Sequence, residues 1–195
     1  GATSELDAKV NLGEHGNFSA RPAGLGQPEG ELFLTLAISD LSFVDGLSAE
    51  GQGMRGRLDG ELRAPLADPS QLQGVLESSG LFFELPAAGL KATAGRLGLT
   101  FAGDRQLRLD GNFNIAPGAL RIEGQVGLGA GGEAQIRIVG DNVGLVDLPS
   151  VRLAGDTNFL VKFAPGGLVI EGGILLREGK IDLDRTAPTG PASED

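Results

Sequence analysis

The chain contains no cysteine, no tryptophan and no tyrosine, and only one histidine and one methionine. Without cysteine there are no disulfides, no thiolate ligands and no cysteine nucleophile. The single histidine, His15, lies in the loop-like stretch "GEHGN", which leaves it a surface role and excludes a hydrolase triad and a multi-histidine zinc site. No uncharged apolar run reaches the roughly 18 residues a membrane helix needs, and the sequence shows no signal peptide. Positive charge is also scarce: 16 Lys and Arg stand against 26 Asp and Glu, a formal net charge of −10. Such a field repels nucleic acid and anionic headgroups from the outer surface. The start at Gly1-Ala2-Thr3-Ser4 leads us to expect an excised fragment whose anchor lies elsewhere. Sheets usually favour Tyr and Trp, whose polar handles seek hydrogen-bond partners when buried. Their absence leaves Leu, Val, Ile, Ala and nine Phe as the apolar stock. It is explained equally by a uniformly oily surface or by drift in a Leu/Ala/Gly-rich composition.

Hydrophobic residues make up 41% of the chain, enough for a core and against general disorder. Glycine supplies 33 of 195 residues without the triplet period of collagen. The dominant signal is period-two alternation, the mark of strands with one apolar face. "SELDAKVNL" places Leu6, Ala8, Val10 and Leu12 on one side. "ELFLTLAIS" does the same with Leu32, Leu34, Leu36 and Ile38, with Phe33 opposite. "RLDGELRAP" aligns Leu58, Gly60, Leu62 and Ala64; "RLGLTFAG" aligns Leu97, Leu99 and Phe101. "LRLDGNFNI" gives Leu107, Leu109, Gly111, Phe113 and Ile115, and "LRIEGQVGL" gives Leu120, Ile122, Gly124, Val126 and Leu128. Then follow "AQIRIVG" with Ile136 and Ile138, and "NFLVKFAPGG" with Phe159, Val161 and Phe163. "LVIEGGILL" adds Leu168, Ile170, Gly172, Ile174 and Leu176, and "KIDLD" closes the series. Turn signals separate these runs at Ala116-Pro117-Gly118, Gly131-Gly132 and Ala164-Pro165-Gly166-Gly167.

The pattern predicts an all-β, antiparallel architecture built as one elongated unit over residues 1–184, followed by a Pro/Ser/acid-rich loop or linker at 185–195. About 13 to 16 strands at roughly 4.8 Å spacing would make a sheet on the order of 60–75 Å long. Asp68-Pro69-Ser70-Gln71 reads as a turn into a strand, because Leu72, Gly74 and Leu76 then alternate.

Three strands share the pattern L-x-[LI]-x-G-x-[FVI]-x-[IL], at 107–115, 120–128 and 168–176, with a shorter version at 58–64. Glycine weakens a strand and marks bends and close approach. If Gly60, Gly111, Gly124 and Gly172 stack as a column, the sheet folds lengthwise into a trough with apolar walls. If they mark barrel corners, they surround an ordinary filled core. In the trough reading, Phe113, Ile122 and Ile170 project inward while Arg121, Glu123 and Glu171 project outward. A bulky residue at a floor glycine should then harm folding more than one at the turn glycine Gly132.

Catalytic motifs fail on context. "GLGAGG" at 127–132 fits a dinucleotide-binding glycine pattern, but "EAQIRIV" follows where a helix is required, so a hairpin turn is expected. "GQGMRG" at 51–56 has no βαβ unit around it. "EGK" at 178–180 lacks the upstream glycine and following Ser/Thr of a P-loop. No G-x-S-x-G elbow occurs, and the Gly-Gly pairs lack the G-x-D that continues a calcium-binding nonapeptide. Glu133 and Asp141 look like solvated outer-face charges. The expectation is a protein that is no enzyme, with no cofactor and no metal.

The stretch "DPSQLQGVLESSGLFFELPAAGL", 68–90, resembles the P-x-x-L-x-G-x-L…G…P-x-x-G-L element that recurs in the TamB family of the translocation and assembly module. Residues 137–184, "RIVGDNVGLVDLPSVRLAGDTNFLVKFAPGGLVIEGGILLREGKIDLD", are similar to that family's C-terminal domain. A strand over Val143–Val146, a Leu148-Pro149 kink, "VRLAGD" and the glycine-interrupted "LVIEGGI" come in the same order. The likeness is diffuse over 31–136 and covers nothing in 1–30, and AsmA-like bridge proteins share the aliphatic alternation.

The resemblance implies a β-taco, a long curled sheet enclosing an aliphatic channel. It further implies a periplasmic protein anchored in the bacterial inner membrane and partnered by a TamA-like outer-membrane barrel protein. The family is associated with phospholipid movement between membranes and with assembly of outer-membrane proteins. Two functions follow as expectations. One is a conduit in which phospholipid acyl chains lie along the groove; the other is a scaffold that holds nascent outer-membrane strands by augmentation. Nucleic acid is not an expected partner. The family supplies no catalytic residues to carry over.

Overall fold

A computed structural model describes residues 8–11, 13–25, 27, 29–43, 52–129 and 131–182. Leu6, Leu12 and the loop expected at 185–195 lie outside the described residues. The strands are β1 (Ala8–Asn11), β2 (Gly16–Ala23), β3 (Glu31–Ile38), β4 (Gln52–Pro65), β5 (Gln73–Leu85), β6 (Leu90–Ala102), β7 (Gln106–Ile115), β8 (Gly118–Gly127), β9 (Ala134–Leu148), β10 (Val151–Ala164) and β11 (Gly167–Ile181). They form one sheet in sequence order from β1 to β11, and each neighbouring pair is antiparallel. The two ends of the order do not pair, so the sheet is curled and open rather than a barrel. The all-β, single-sheet expectation holds.

The strand count differs from the expected 13 to 16: the described residues form 11, and stacked at about 4.8 Å they span roughly 50 Å. The reason is length. β4, β5, β6, β9, β10 and β11 run for 13 to 15 residues each, because β-bulges let a strand continue where its alternation breaks. Asn142, at φ 47°, carries one such bulge inside β9, so "AQIRIVG" and "VGLVDL" belong to a single strand. Asp68 and its neighbours form the expected turn before β5. There the Asp68 carboxylate accepts from the Ser70 and Gln71 side chains and pairs with Arg105 at 2.9 Å. "GLGAGG" leads from β8 to β9, as a hairpin connection should.

The densest packing lies at one end of the sheet. Leu81, Ala92, Phe113, Ile115 and Val143 are buried together, with Phe83, Leu90, Leu97, Leu120, Ile122 and Leu145 packed against them. The Phe83 and Phe113 rings meet edge to face at 5.7 Å, although β6 separates their strands. Phe113 reaches across because Gly95, between them on β6, has no side chain to obstruct it. At the same end the backbone of Gly89, just before β6, abuts the Asp147 carbonyl of β9, and Leu90 reaches Gly144. Contact of the β6 start with the β9 end, over the intervening β7 and β8, is the curl itself.

Candidate functional site

The apolar face is built by register. Ile38, Leu58, Ser78, Leu97, Gly111, Ile122, Ile138, Phe159 and Gly172 lie on one cross-strand row from β3 to β11. One step along the strands, Leu36, Gly60, Leu76, Leu99, Leu109, Gly124, Ile136, Val161 and Ile170 form the next. A third row carries Leu34, Leu62, Gly74, Phe101, Leu107, Val126, Ala134, Phe163 and Leu168. Leu32 sits beyond it beside Ala64. Towards the packed end, Phe113, Leu120, Gly140, Thr157 and Ile174 align, then Ile115 opposite Ala92 and Leu176 opposite Gly155. Leu128 follows β8, its backbone N–H donating to the Arg105 carbonyl at 2.6 Å. The sequence-predicted aliphatic residues of the strands therefore share one face. It is polar at Ser78 and Thr157. The Ser78 hydroxyl donates to the Leu97 carbonyl at 3.1 Å and accepts from its N–H at 2.9 Å.

Burial is uneven across that face, high at the packed end and also at Ile38, Leu62 and Ala64 near β3 and β4, and low at the β11 side. Phe113 and Ile115 are 7% and 8% exposed, whereas Phe163, Leu168 and Ile170 are 52%, 61% and 60% exposed. Most residues between are half-buried, and no described side chain falls below 2% exposure. A single-layer sheet that leaves its apolar face half-open is under-filled by the standard of globular interiors.

The four glycines do not stack as a column. Gly111 and Gly172 share one row, Gly60 and Gly124 the next, and in each case three strands lie between the two. The cause is strand direction. β7 and β8 carry the same motif but run antiparallel, so Gly111 faces Ile122 and Gly124 faces Leu109. Close approach is real nonetheless. A Cβ at Gly124 would lie 2.7 Å from the Gln135 carbonyl oxygen. One at Gly60 would collide with the Val75 carbonyl, and one at Gly172, at φ +134°, with that of Asn158. Gly111 is milder, 3.0 Å from a Leu97 methyl. Gly132 is no neutral reference, since its Cβ would strike the Gly127 carbonyl; Gly173, with nothing within 4 Å, is.

The opposite face carries the charges. Asp59 faces Glu77, and Asp110 faces Glu123, with Arg121 beside the second pair. Arg121, Glu123 and Glu171 occupy this face as expected. Asp141 is exposed and pairs with Arg177 at 3.4 Å. His15 ends a 3-10 turn at Gly13–His15, half-exposed, 3.8 Å from Asp40. Among the described residues no cluster of His, Asp or Glu is arranged to hold a metal ion, and no helix is long and apolar enough to cross a membrane.

Sequence reasoning missed Leu81, Ala92 and Val143 at the packed end. It also missed Val169 and Leu175, which place apolar side chains on the outer face of β11 at 50% and 66% exposure. Their signal was present: "LVIEGGILL" is apolar at nearly every position instead of alternating. Comparison of the chain with family models, with curated proteins and with solved structures finds no match.

Proposed function

We propose that this chain is a segment of a non-enzymatic periplasmic bridge of the TamB type, whose curled apolar face shelters phospholipid acyl chains between the inner and outer membranes. In this reading a TamA-like outer-membrane barrel protein is its partner. The observation that carries the proposal is the under-filled face: three rows made mainly of Leu, Ile, Val and Phe, interrupted by glycines, Ser78 and Ala134, mostly half-buried and running from β3 to the open edge at β11. Each methylene taken out of water gains about 0.8 kcal/mol, so about ten sheltered methylenes gain about 8 kcal/mol. Aliphatic walls make no directional demand, so a chain held this way can slide. The charged outer face stays in water.

The test uses the purified chain. Organic extraction followed by mass spectrometry should release phospholipid from the folded protein. Ile136→Arg puts a charge on the apolar face away from the packed end and should abolish the bound lipid. Gln135→Arg, one residue away on the charged face, should leave it unchanged. Ile122 is a poorer probe than its place in the repeat suggests, because it packs against the Phe113 cluster. Equal lipid in both variants, or none in the parent protein, overturns the reading. A second reading, a scaffold for nascent outer-membrane strands, is favoured by one observation, the bare apolar edge of β11. Saturable binding of an unfolded barrel strand to lipid-free protein would support it.

A further inference from the structure

The two edges of the sheet differ sharply. Among the described residues β1 is four residues long. β11 is 15 residues long, exposed at every position, and pairs only with β10 among the described residues. Proteins blunt such edges with short strands, charges, prolines or bulges. Over Leu168–Leu176, β11 has one charge and no proline, and its irregularity relative to β10 comes only after Leu176. Apolar side chains occupy both of its faces. Leu168, Ile170, Ile174 and Leu176 continue the inner rows, while Val169 and Leu175 lie outside. A lipid in the groove would cover only the first set and would leave the backbone groups unpaired.

Counted outward from Gly172, the apolar positions are symmetric: Ile170 and Ile174, Val169 and Leu175, Leu168 and Leu176, with only Glu171 and Gly173 unlike. Such a strand is complementary to an antiparallel copy of itself. A two-fold axis through Gly172 sets each apolar residue opposite an apolar residue, inner to inner and outer to outer, as period-two geometry requires. Neighbouring registers do worse. Centring on Glu171 opposes two like charges; centring on Gly173 sets Leu168 against Glu178 and Val169 against Arg177; centring on Ile174 sets Ile170 against Glu178. In the Gly172 register Glu171 faces Gly173, and the two Glu171 carboxylates are diagonal neighbours, each already paired with its own Lys162 at 2.9 Å.

We propose that β11 is a self-pairing edge. A second copy of this chain adds antiparallel across Gly172, joining two curled sheets into one and burying the β11 side chains on both faces. This holds whatever the inner face carries. Each copy bears a formal charge of −10, so long-range repulsion opposes the pairing and salt relieves it. The dimer should therefore tighten with added sodium chloride, opposite to an interface held by ion pairs.

The chain's lack of cysteine allows a register-specific test. In the double variant Val169→Cys/Leu175→Cys, the two introduced thiols of one copy face those of the other, on exposed positions that the fold tolerates. Mild oxidation should give a covalent dimer, while either single variant should give little, since like positions lie well apart. Sedimentation equilibrium of the unmodified chain should show a dimer. Leu175→Lys, with unchanged circular dichroism, should weaken association at least about tenfold by burying an unpaired charge. Absence of dimer at every concentration and salt overturns the proposal, as does equal cross-linking of the single and double variants. It is equally overturned if the chain stays monomeric while a different apolar strand peptide binds in a Leu175-dependent way.

Discussion

The Phe113 end and the β11 edge are made from the same kinds of residue, yet one is packed and the other is bare. On the inner face both carry apolar residues at period two with a glycine at mid-strand, and β11 adds Val169 and Leu175 outside. At the Phe113 end, Gly95 lets an aromatic ring cross a strand, and the β5–β6 turn reaches β9, so side chains from five strands meet. At β11 similar residues meet only β10 among the described strands. Burial here follows the strands that surround a side chain, not how apolar its own strand is.

The largest effect should come from removing the residue that makes the packed end. Phe113→Ala should cost about 3–5 kcal/mol in chemical denaturation. Phe163→Ala, on the same face but 52% exposed, should cost less than about 1 kcal/mol. Similar losses would mean that the two ends are packed alike and would break the contrast.

A sharper test separates adjacent glycines. Gly172→Ala forces a side chain into a left-handed backbone and onto the Asn158 carbonyl, and should cost about 1–3 kcal/mol. Gly173→Ala meets open space on the other face and should stay within about 0.5 kcal/mol. If the two prove equal in thermal denaturation, the close approach of β10 and β11 is not what holds glycine there.

The smallest effect concerns acid. The Asn142 backbone N–H, donating at 2.9 Å, holds the Asp156 carboxyl below its usual range, with Arg177 adding to it. A carboxylate depressed by folding stabilises above its unfolded pKa of about 3.9 and loses that contribution as pH falls towards the folded value. Stability should therefore decline below about pH 4, and Asp156→Asn should flatten that decline. An unchanged slope in the variant would remove Asp156 from the bulge's support.

What was legible in the sequence was which residues share a face wherever alternation runs unbroken. In β7, Leu107 through Ile115 keep one phase, and β8 does so from Leu120 to Val126. What was illegible was every change of phase. In β5 the inner face passes from Ser78 to Leu81, in β6 from Ala92 to Leu97, and in β9 from Gly140 to Val143. At each step a bulge inserts a residue, with Ala94 at φ 49° and Asn142 at φ 47°. A bulge leaves no period in the sequence, so the core residues just beyond it were invisible. The glycine column failed for another reason. A motif repeated along a chain says nothing of the direction in which its copies run, and antiparallel neighbours displace it by one row.

The strict succession of the strands has a consequence for how such a protein can change length. Each strand touches mainly the strands before and after it, so contacts stay local and folding can proceed as a zipper from any hairpin. A hairpin inserted or deleted away from the packed end between β5 and β9 breaks one seam and heals it, with no crossover to rewire. Reach is then a quantity that selection can adjust two strands, roughly 10 Å, at a time.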